Sequence, residues 1–242
     1  MRTNKHIALL LAGGKGCRMH QHDPKQFMEI EGKPLISYTM AAFEKHEGSD
    51  AIYVVCDQMW EEKVKQIAQQ EGIRKFCGCF PSGETSMQSL YNGIMGLKTK
   101  GYSNQDLVLT HDSVRPLISA NVISQNLETC QRYGNAITGI QSNEAYMVSS
   151  DRLHSEGLIE RDKLFRAQTP QTFRMEDLLP ILKERKQEEL QRTQSLYTLM
   201  AEWGNMPLHI AQGDNYNFKV TVPADVEMVQ AVRSEERRVG TE

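Results

Sequence analysis

The chain has 242 residues, 39% hydrophobic and 24% charged, enough for one large α/β domain with a sizeable core. Its formal net charge of −3 gives no overall attraction for a polyanion and argues against a nucleic-acid partner, and no apolar run approaches the roughly 18 residues of a membrane span. The five cysteines are odd in number and irregularly spaced, a usage that fits reduced thiols in a cytoplasmic protein better than a disulfide framework or a zinc site.

In chain order, the first apolar run, Ile7–Leu11, reads as a strand that ends in glycines. It is too short for the core of a signal peptide. Pro34–Lys45 reads as a helix, with Pro34 suited to its first turn. Ala51–Cys56 is the next strand and Met59–Glu71 the next helix. Ile73–Cys79 reads as a strand, Thr85–Lys98 as a helix, Leu107–Thr110 as a strand and Ala120–Tyr133 as a helix. Ala136–Ile140 and Leu208–Ala211 complete the strands. Asp177–Gln187, Thr193–Trp203 and Pro223–Val232 are the late helices. This alternation predicts βαβ units. The expected fold is a single Rossmann-like α/β domain over residues 1–233, a mostly parallel sheet with helices on both faces.

Two stretches break the rhythm. Ser142–Asp162 is polar, of mixed charge and without clear period, which leaves a surface loop and a protruding arm (about 141–163) both open. Ser234–Glu242 is charged with no apolar face, and a disordered tail is expected over 234–242.

The densest chemical signal follows the first strand: Leu11-Ala12-Gly13-Gly14-Lys15-Gly16-Cys17-Arg18-Met19, then Pro24-Lys25-Gln26. Three glycines after a strand give a loop whose N–H groups can approach phosphates closely. The spacing is neither that of a dinucleotide fingerprint nor that of a Walker loop. Arg18 and Lys25 flank the loop at the carboxyl end of the strand, where ligands of open α/β sheets bind.

This block, together with Thr110-His111-Asp112-Ser113-Val114-Arg115-Pro116, Ala167-Gln168-Thr169-Pro170-Gln171-Thr172-Phe173 and Asn217-Phe218-Lys219-Val220-Thr221 followed by Pro223 and Asp225, resembles the 2-C-methyl-D-erythritol 4-phosphate / D-ribitol-5-phosphate cytidylyltransferase family. The four blocks stand in the family's order. The resemblance implies transfer of CMP from CTP to a polyol phosphate, with release of pyrophosphate. It implies Arg18, Lys25 and Lys219 as the cations that stabilise the transferred phosphoryl group, and Mg2+ on the triphosphate. Leu11, Ala12, Gly13, Gly14, Gly16, Ser82, Gly83, Glu84 and Ser89 would hold the nucleotide. Asp112 would contact the ribose or the metal, with His111 and Arg115 orienting its loop. Arg161 and Thr169 match positions that hold the acceptor phosphate. Arg161 would project from the arm into a partner subunit's site, which implies a homodimer.

The acceptor half departs from the family pattern. Asn143-Glu144-Ala145 stands where an Asp-Thr pair is usual, Thr85-Ser86-Met87 lacks an arginine, and no Asp-Glu pair occurs near Gln194-Ser195. Ser113-Val114 and Gln168 resemble the ribitol-phosphate branch, which serves cell-wall or capsule polymers. The methylerythritol-phosphate branch of isoprenoid synthesis is the alternative. A uridylyl- or guanylyltransferase and a non-catalytic nucleotide-binding protein on the same scaffold are the remaining readings.

Overall fold

A computed structural model describes residues 4–14, 24–185, 192–193 and 195–239, with backbone alone over 236–239. Gly16 and Arg18 lie outside the described residues.

The strands of the main sheet are β1 (His6–Leu11), β4 (Ala51–Cys56), β5 (Phe76–Pro81), β6 (Leu107–Asp112), β7 (Asn135–Gln141), β10 (Phe165–Arg174) and β11 (Ile210–Gln212). Two small ribbons add β2 (Glu29–Ile30) with β3 (Lys33–Pro34), and β8 (Met147–Val148) with β9 (Gly157–Leu158). The helices are α1 (Leu35–Lys45), α2 (Glu61–Gln70), α3 (Ser86–Thr99), α4 (Ala120–Tyr133), α5 (Met175–Glu184), α6 (Leu196–Trp203) and α7 (Pro223–Val239). The seven-stranded sheet has the order β11-β7-β10-β6-β1-β4-β5. All its neighbours pair parallel except β10, which runs antiparallel to both β6 and β7.

Both faces of the sheet are covered, so the central parallel strands carry consecutive apolar residues, as in Ile7–Leu11, Ala51–Cys56 and Leu107–Leu109, rather than alternate ones. Ala8 and Leu10 face α1, α2 and α4 through Met40, Phe43, Val64 and Ile123. Ile7 and Leu9 face α3, α5 and α6 through Leu90, Ile94, Leu178 and Leu199. A third cluster seats α7 against β2 and the start of α1 through Ile30, Leu35, Val220 and Val229. This is the expected mostly parallel α/β architecture.

β10 has no counterpart in the sequence reading. Its residues, Phe-Arg-Ala-Gln-Thr-Pro-Gln-Thr-Phe-Arg, lack a β-branched run and contain Pro170, features that demote a strand by pattern. The structure accommodates the proline at a register shift between Ala167 and Gln171. The Thr169–Pro170 bond there is cis. The Pro170 carbonyl accepts from Asn126 Nδ2 at 2.8 Å and Thr138 Oγ1 at 2.7 Å, and Thr172 Oγ1 donates to Asn126 Oδ1. Side chains thus replace the ladder bonds that the irregularity removes.

Three expected boundaries move. The strand expected from Ile73 begins at Phe76, after the Gly72 turn with φ +65. The strand expected at Leu208–Ala211 begins at Ile210. The disordered tail expected over 234–242 is corrected over its first part, because α7 continues to Val239. Glu235, Glu236, Arg237 and Arg238 are good helix formers by type, and the backbone of a helix already docked through Val229 runs on through them. The stretch of about 141–163, open between a loop and an arm, folds as a β8–β9 hairpin and a 3-10 turn, Arg161–Lys163, between β7 and β10. It exposes Met147, Leu153 and Leu158 at 75%, 84% and 90%.

Candidate active site

A cleft of about 630 Å³ opens at the carboxyl ends of β1 and β6, the place where parallel α/β sheets bind ligands. Its walls come from all four sequence blocks. Leu11, Ala12, Gly13, Gly14 and Lys25 line it together with Glu84, Ser89, Asp112, Thr169 and Lys219.

The glycine segment is fixed by close packing. Ala12 N–H donates to Val55 O at 2.8 Å. A Cβ on Gly13 would stand 2.6 Å from Ser82 Cβ and 3.1 Å from Ser89 Oγ, so only glycine fits without a shift. Gly14 has open space instead, toward the cleft. Lys25 sits in a 3-10 turn, Lys25–Phe27. The neighbouring Gln26 is buried and donates to Ala12 O at 2.6 Å, while Phe27 packs on Trp60 under the ammonium of Lys63. The lysine's backbone is therefore anchored through the two residues that follow it.

Asp112 ends β6 between two cations. Its Oδ2 accepts from Arg115 Nε at 2.9 Å and its Oδ1 from Lys219 Nζ at 2.9 Å. Burial pushes the carboxyl pKa up, but the two cations outweigh it and hold the pKa at about 2. Thr169 Oγ1 accepts the Asp112 N–H at 3.1 Å and shares a hydrogen bond with His111 Nδ1 at 3.0 Å. His111 is fully buried, edge-on to Phe43. Burial first, and then the Arg115 charge, lower its pKa to about 3. It is therefore uncharged near neutral pH.

Most sequence-predicted site residues come together, and three of the described ones do not line the cleft. Ser82 and Gly83 lie behind the glycine segment. Gly83 N–H donates to Ser89 Oγ at 2.9 Å, and Ser89 Oγ donates to Thr85 O at 3.0 Å, so the Ser89 hydroxyl is spent on shaping this loop. Arg161, expected at the acceptor end, stands on the exposed arm beside Asp162, away from its own cleft. The 3-10 turn that carries it faces solvent.

The segments where the sequence departs from the family pattern also reach the cleft. Thr85, Ser86 and Met87 line the cleft at the start of α3, and Ser195 and Leu196 do so at the start of α6. Gln171 joins these parts: its Oε1 accepts the Tyr197 N–H at 2.8 Å. Arg115 also donates through Nη1 to Asn217 O at 2.7 Å, tying the last block to the second. Gln26 and Asn217 were inside recognised blocks, but a side-chain bond to a remote backbone leaves no periodic trace. Cys56, Cys77, Cys79 and Cys130 are free thiols.

Comparison with known proteins agrees with this geometry. The family model for 2-C-methyl-D-erythritol 4-phosphate cytidylyltransferase matches residues 6–235. The ribitol-5-phosphate cytidylyltransferase of Lacticaseibacillus paracasei is 33% identical over 226 residues, 93% of this chain and 96% of the relative. A 2-C-methyl-D-erythritol 4-phosphate cytidylyltransferase of Clostridium botulinum is 28% identical over 92% of this chain and 95% of its own. The crystal structure of 4-diphosphocytidyl-2C-methyl-D-erythritol synthase from Anaerococcus prevotii shares the fold at TM-score 0.78 and 21% identity, covering 96% of each chain.

Proposed function

From the chain's membership of the 2-C-methyl-D-erythritol 4-phosphate cytidylyltransferase family, which makes it a CTP-dependent nucleotidyltransferase, we propose that it transfers CMP from CTP to ribitol 5-phosphate. The observation that carries the reading is the convergence of Lys25, Asp112 and Lys219 on one cleft beside the Gly13–Gly14 backbone.

A phosphate oxygen of the acceptor attacks the α-phosphorus of CTP. The bond from that phosphorus to the bridging oxygen of the β-phosphate breaks, and pyrophosphate leaves with the electron pair. The acceptor phosphate is already ionised near pH 7, so no general base is required. The chain's task is to bring two anions together and to hold positive charge where negative charge gathers. Lys25 and Lys219 supply it, with Arg18 of the glycine loop assigned the same role by its block. Gly13 and Gly14 leave room for close approach of the triphosphate, and Glu84 and Asp112 lie where the nucleoside would meet the cleft wall. Thr169 shapes the acceptor end.

Mg2+ is part of the proposal. Among the described residues, no three His, Cys, Asp or Glu side chains cluster as a metal site. The cleft offers the carboxylates of Asp112 and Glu84, a donor set that suits an ion carried by substrate phosphates and met by one or two protein oxygens. Bound there, the ion would neutralise triphosphate charge. Asp112 would meet it only by sharing an oxygen now held by Lys219 or Arg115.

The preference for ribitol 5-phosphate rests on Ser113-Val114 and Gln168, and on the greater identity to the ribitol enzyme than to the methylerythritol enzyme. The exposed apolar side chains of the arm support a homodimer in which Arg161 serves the partner's cleft. A cytoplasmic setting fits the free thiols, and no helix among the described residues is long and apolar enough to cross a membrane.

Phosphorus NMR of the chain with CTP, Mg2+ and ribitol 5-phosphate tests the reading. New diphosphate resonances of a CDP-polyol should grow with free pyrophosphate and stop on addition of chelator. Unchanged CTP would refute the activity, and undiminished turnover in chelator would refute the metal.

A further inference from the structure

Lys219 comes from a stretch with no regular structure. Residues 213–222, between β11 and α7, contain neither helix nor strand. Something else must fix a side chain whose charge has to be placed within an ångström.

We propose that Gln168 is a positioning residue for Lys219, an inference that rests on the cytidylyltransferase reading above. Gln168 is 1% exposed. Its Nε2 donates to Asp214 O at 2.8 Å, and its Oε1 accepts the Asp214 N–H at 3.3 Å and Asn217 Nδ2 at 3.4 Å. One amide side chain therefore pairs with both backbone groups of Asp214, as a strand neighbour would. The turn so held closes on itself, with Asn217 N–H donating to Asp214 O at 3.2 Å. Asn217 is fully buried and donates through Nδ2 to Thr169 O at 2.8 Å. Two residues on, Lys219 reaches Asp112. On the far side, Val220 N–H donates to Val114 O at 2.9 Å. The lysine is thus suspended between a latch on β10 and an anchor beside Asp112.

Gly213 bears on the same latch. A Cβ there would stand 2.5 Å from Gln168 Oε1 and 3.1 Å from Gly139 O. Alanine at 213 would push the latch from the opposite side. A methionine at 168 would keep the volume and remove the amide.

The experiment compares Gln168→Met and Gly213→Ala with Asn135→Ala. Asn135 is an equally buried amide that holds Pro207 O at 2.9 Å and the His209 N–H at 3.0 Å, and it is not among the residues lining the cleft. Gln168→Met and Gly213→Ala should each lower kcat about tenfold to a hundredfold, the loss expected for misplacement by an ångström. The Kd for CTP should stay within about threefold, because substrate binding does not depend on that one charge. Asn135→Ala should lower the Tm and leave kcat unchanged. The proposal is overturned if both latch variants keep the wild-type kcat. It is also overturned if Asn135→Ala loses kcat as they do. Should Gln168→Met fail to fold, Gly213→Ala alone decides. If the wild-type chain transfers no cytidylyl group, the functional reading has failed, and a crystal structure of Gln168→Met judges the latch: Lys219 still on Asp112 overturns it, and Lys219 displaced supports it.

Discussion

Asp112 carries a negative charge into a half-closed cleft because Arg115 and Lys219 occupy its two oxygens. The arrangement keeps both cations oriented before any substrate arrives. Electrostatic catalysis benefits from that, since charge already in place costs no reorganisation in the transition state. Lys25 lines the same cleft from its 3-10 turn. Lys25→Ala should lower kcat by a factor of at least about 100, with the circular dichroism spectrum and Tm preserved. Near-normal turnover would remove Lys25 from the catalytic set. His111 makes a different prediction. Its folded-state pKa of about 3 lies below its ordinary value of 6.5, so the unfolded chain binds the proton more readily. The contribution to stability is complete above pH 6.5 and is lost as the pH falls toward 3, amounting to on the order of a few kcal/mol. Asp112 enters only below pH 4, as its own depressed pKa is approached. Urea unfolding of the wild type should therefore weaken between pH 7 and 5, and the slope should flatten in His111→Asn. Parallel slopes would place the titration elsewhere. The charged residues of this site stood out in the sequence because they fall in four blocks that resemble the family's and stand in its order. The amides that hold them, Gln26, Gln168 and Asn217, were visible as letters but not as contacts.

At the scale of elements, the strand that matters most was the one that pattern hides. β10 supplies Thr169, Gln168 and Gln171 to the cleft, yet its Pro170 and its glutamines disguise it. Asn126, Thr138 and Thr172 hold it in the sheet from positions 30 to 46 residues away or two residues on, and no local rule registers such partners. The parallel strands β1, β4 and β6 were legible for the opposite reason: burial on both faces gives each a run of consecutive apolar residues. The arm between β7 and β10 was legible only as an interruption. Its hairpin displays Leu153 and Leu158 to solvent, and Arg161 follows on a turn that its own cleft does not reach. Arg161→Ala should raise the acceptor KM or lower kcat while CTP affinity changes less than about twofold. A larger loss of CTP affinity would overturn the assignment of Arg161 to the acceptor. Mixing Arg161→Ala with Lys25→Ala should restore part of the activity if each chain lends its arm to the other.

For the molecule as a whole, the sheet order, the two covered faces and the cleft at the carboxyl ends of β1 and β6 form one argument. A ligand that needs backbone N–H groups and converging lysines can be served at that edge, where four distant blocks meet. Alternation made the parallel α/β framework readable but not β10, and the glycine segment with its cations marked the candidate nucleotide site. The acceptor half showed only as departures from the family pattern, at Thr85-Ser86-Met87 and Ser195, uncharged residues that line the cleft from the starts of two helices. Specificity for the acceptor is consequently the sharpest test of the account. Initial rates of pyrophosphate release should be measured with CTP against ribitol 5-phosphate and 2-C-methyl-D-erythritol 4-phosphate, with UTP and GTP as nucleotide controls. The account predicts a kcat/KM for ribitol 5-phosphate at least about tenfold higher, a difference of roughly 1.4 kcal/mol in transition-state binding, and little turnover with UTP or GTP. A higher value for the methylerythritol substrate, or equal use of the three nucleotides, would contradict it.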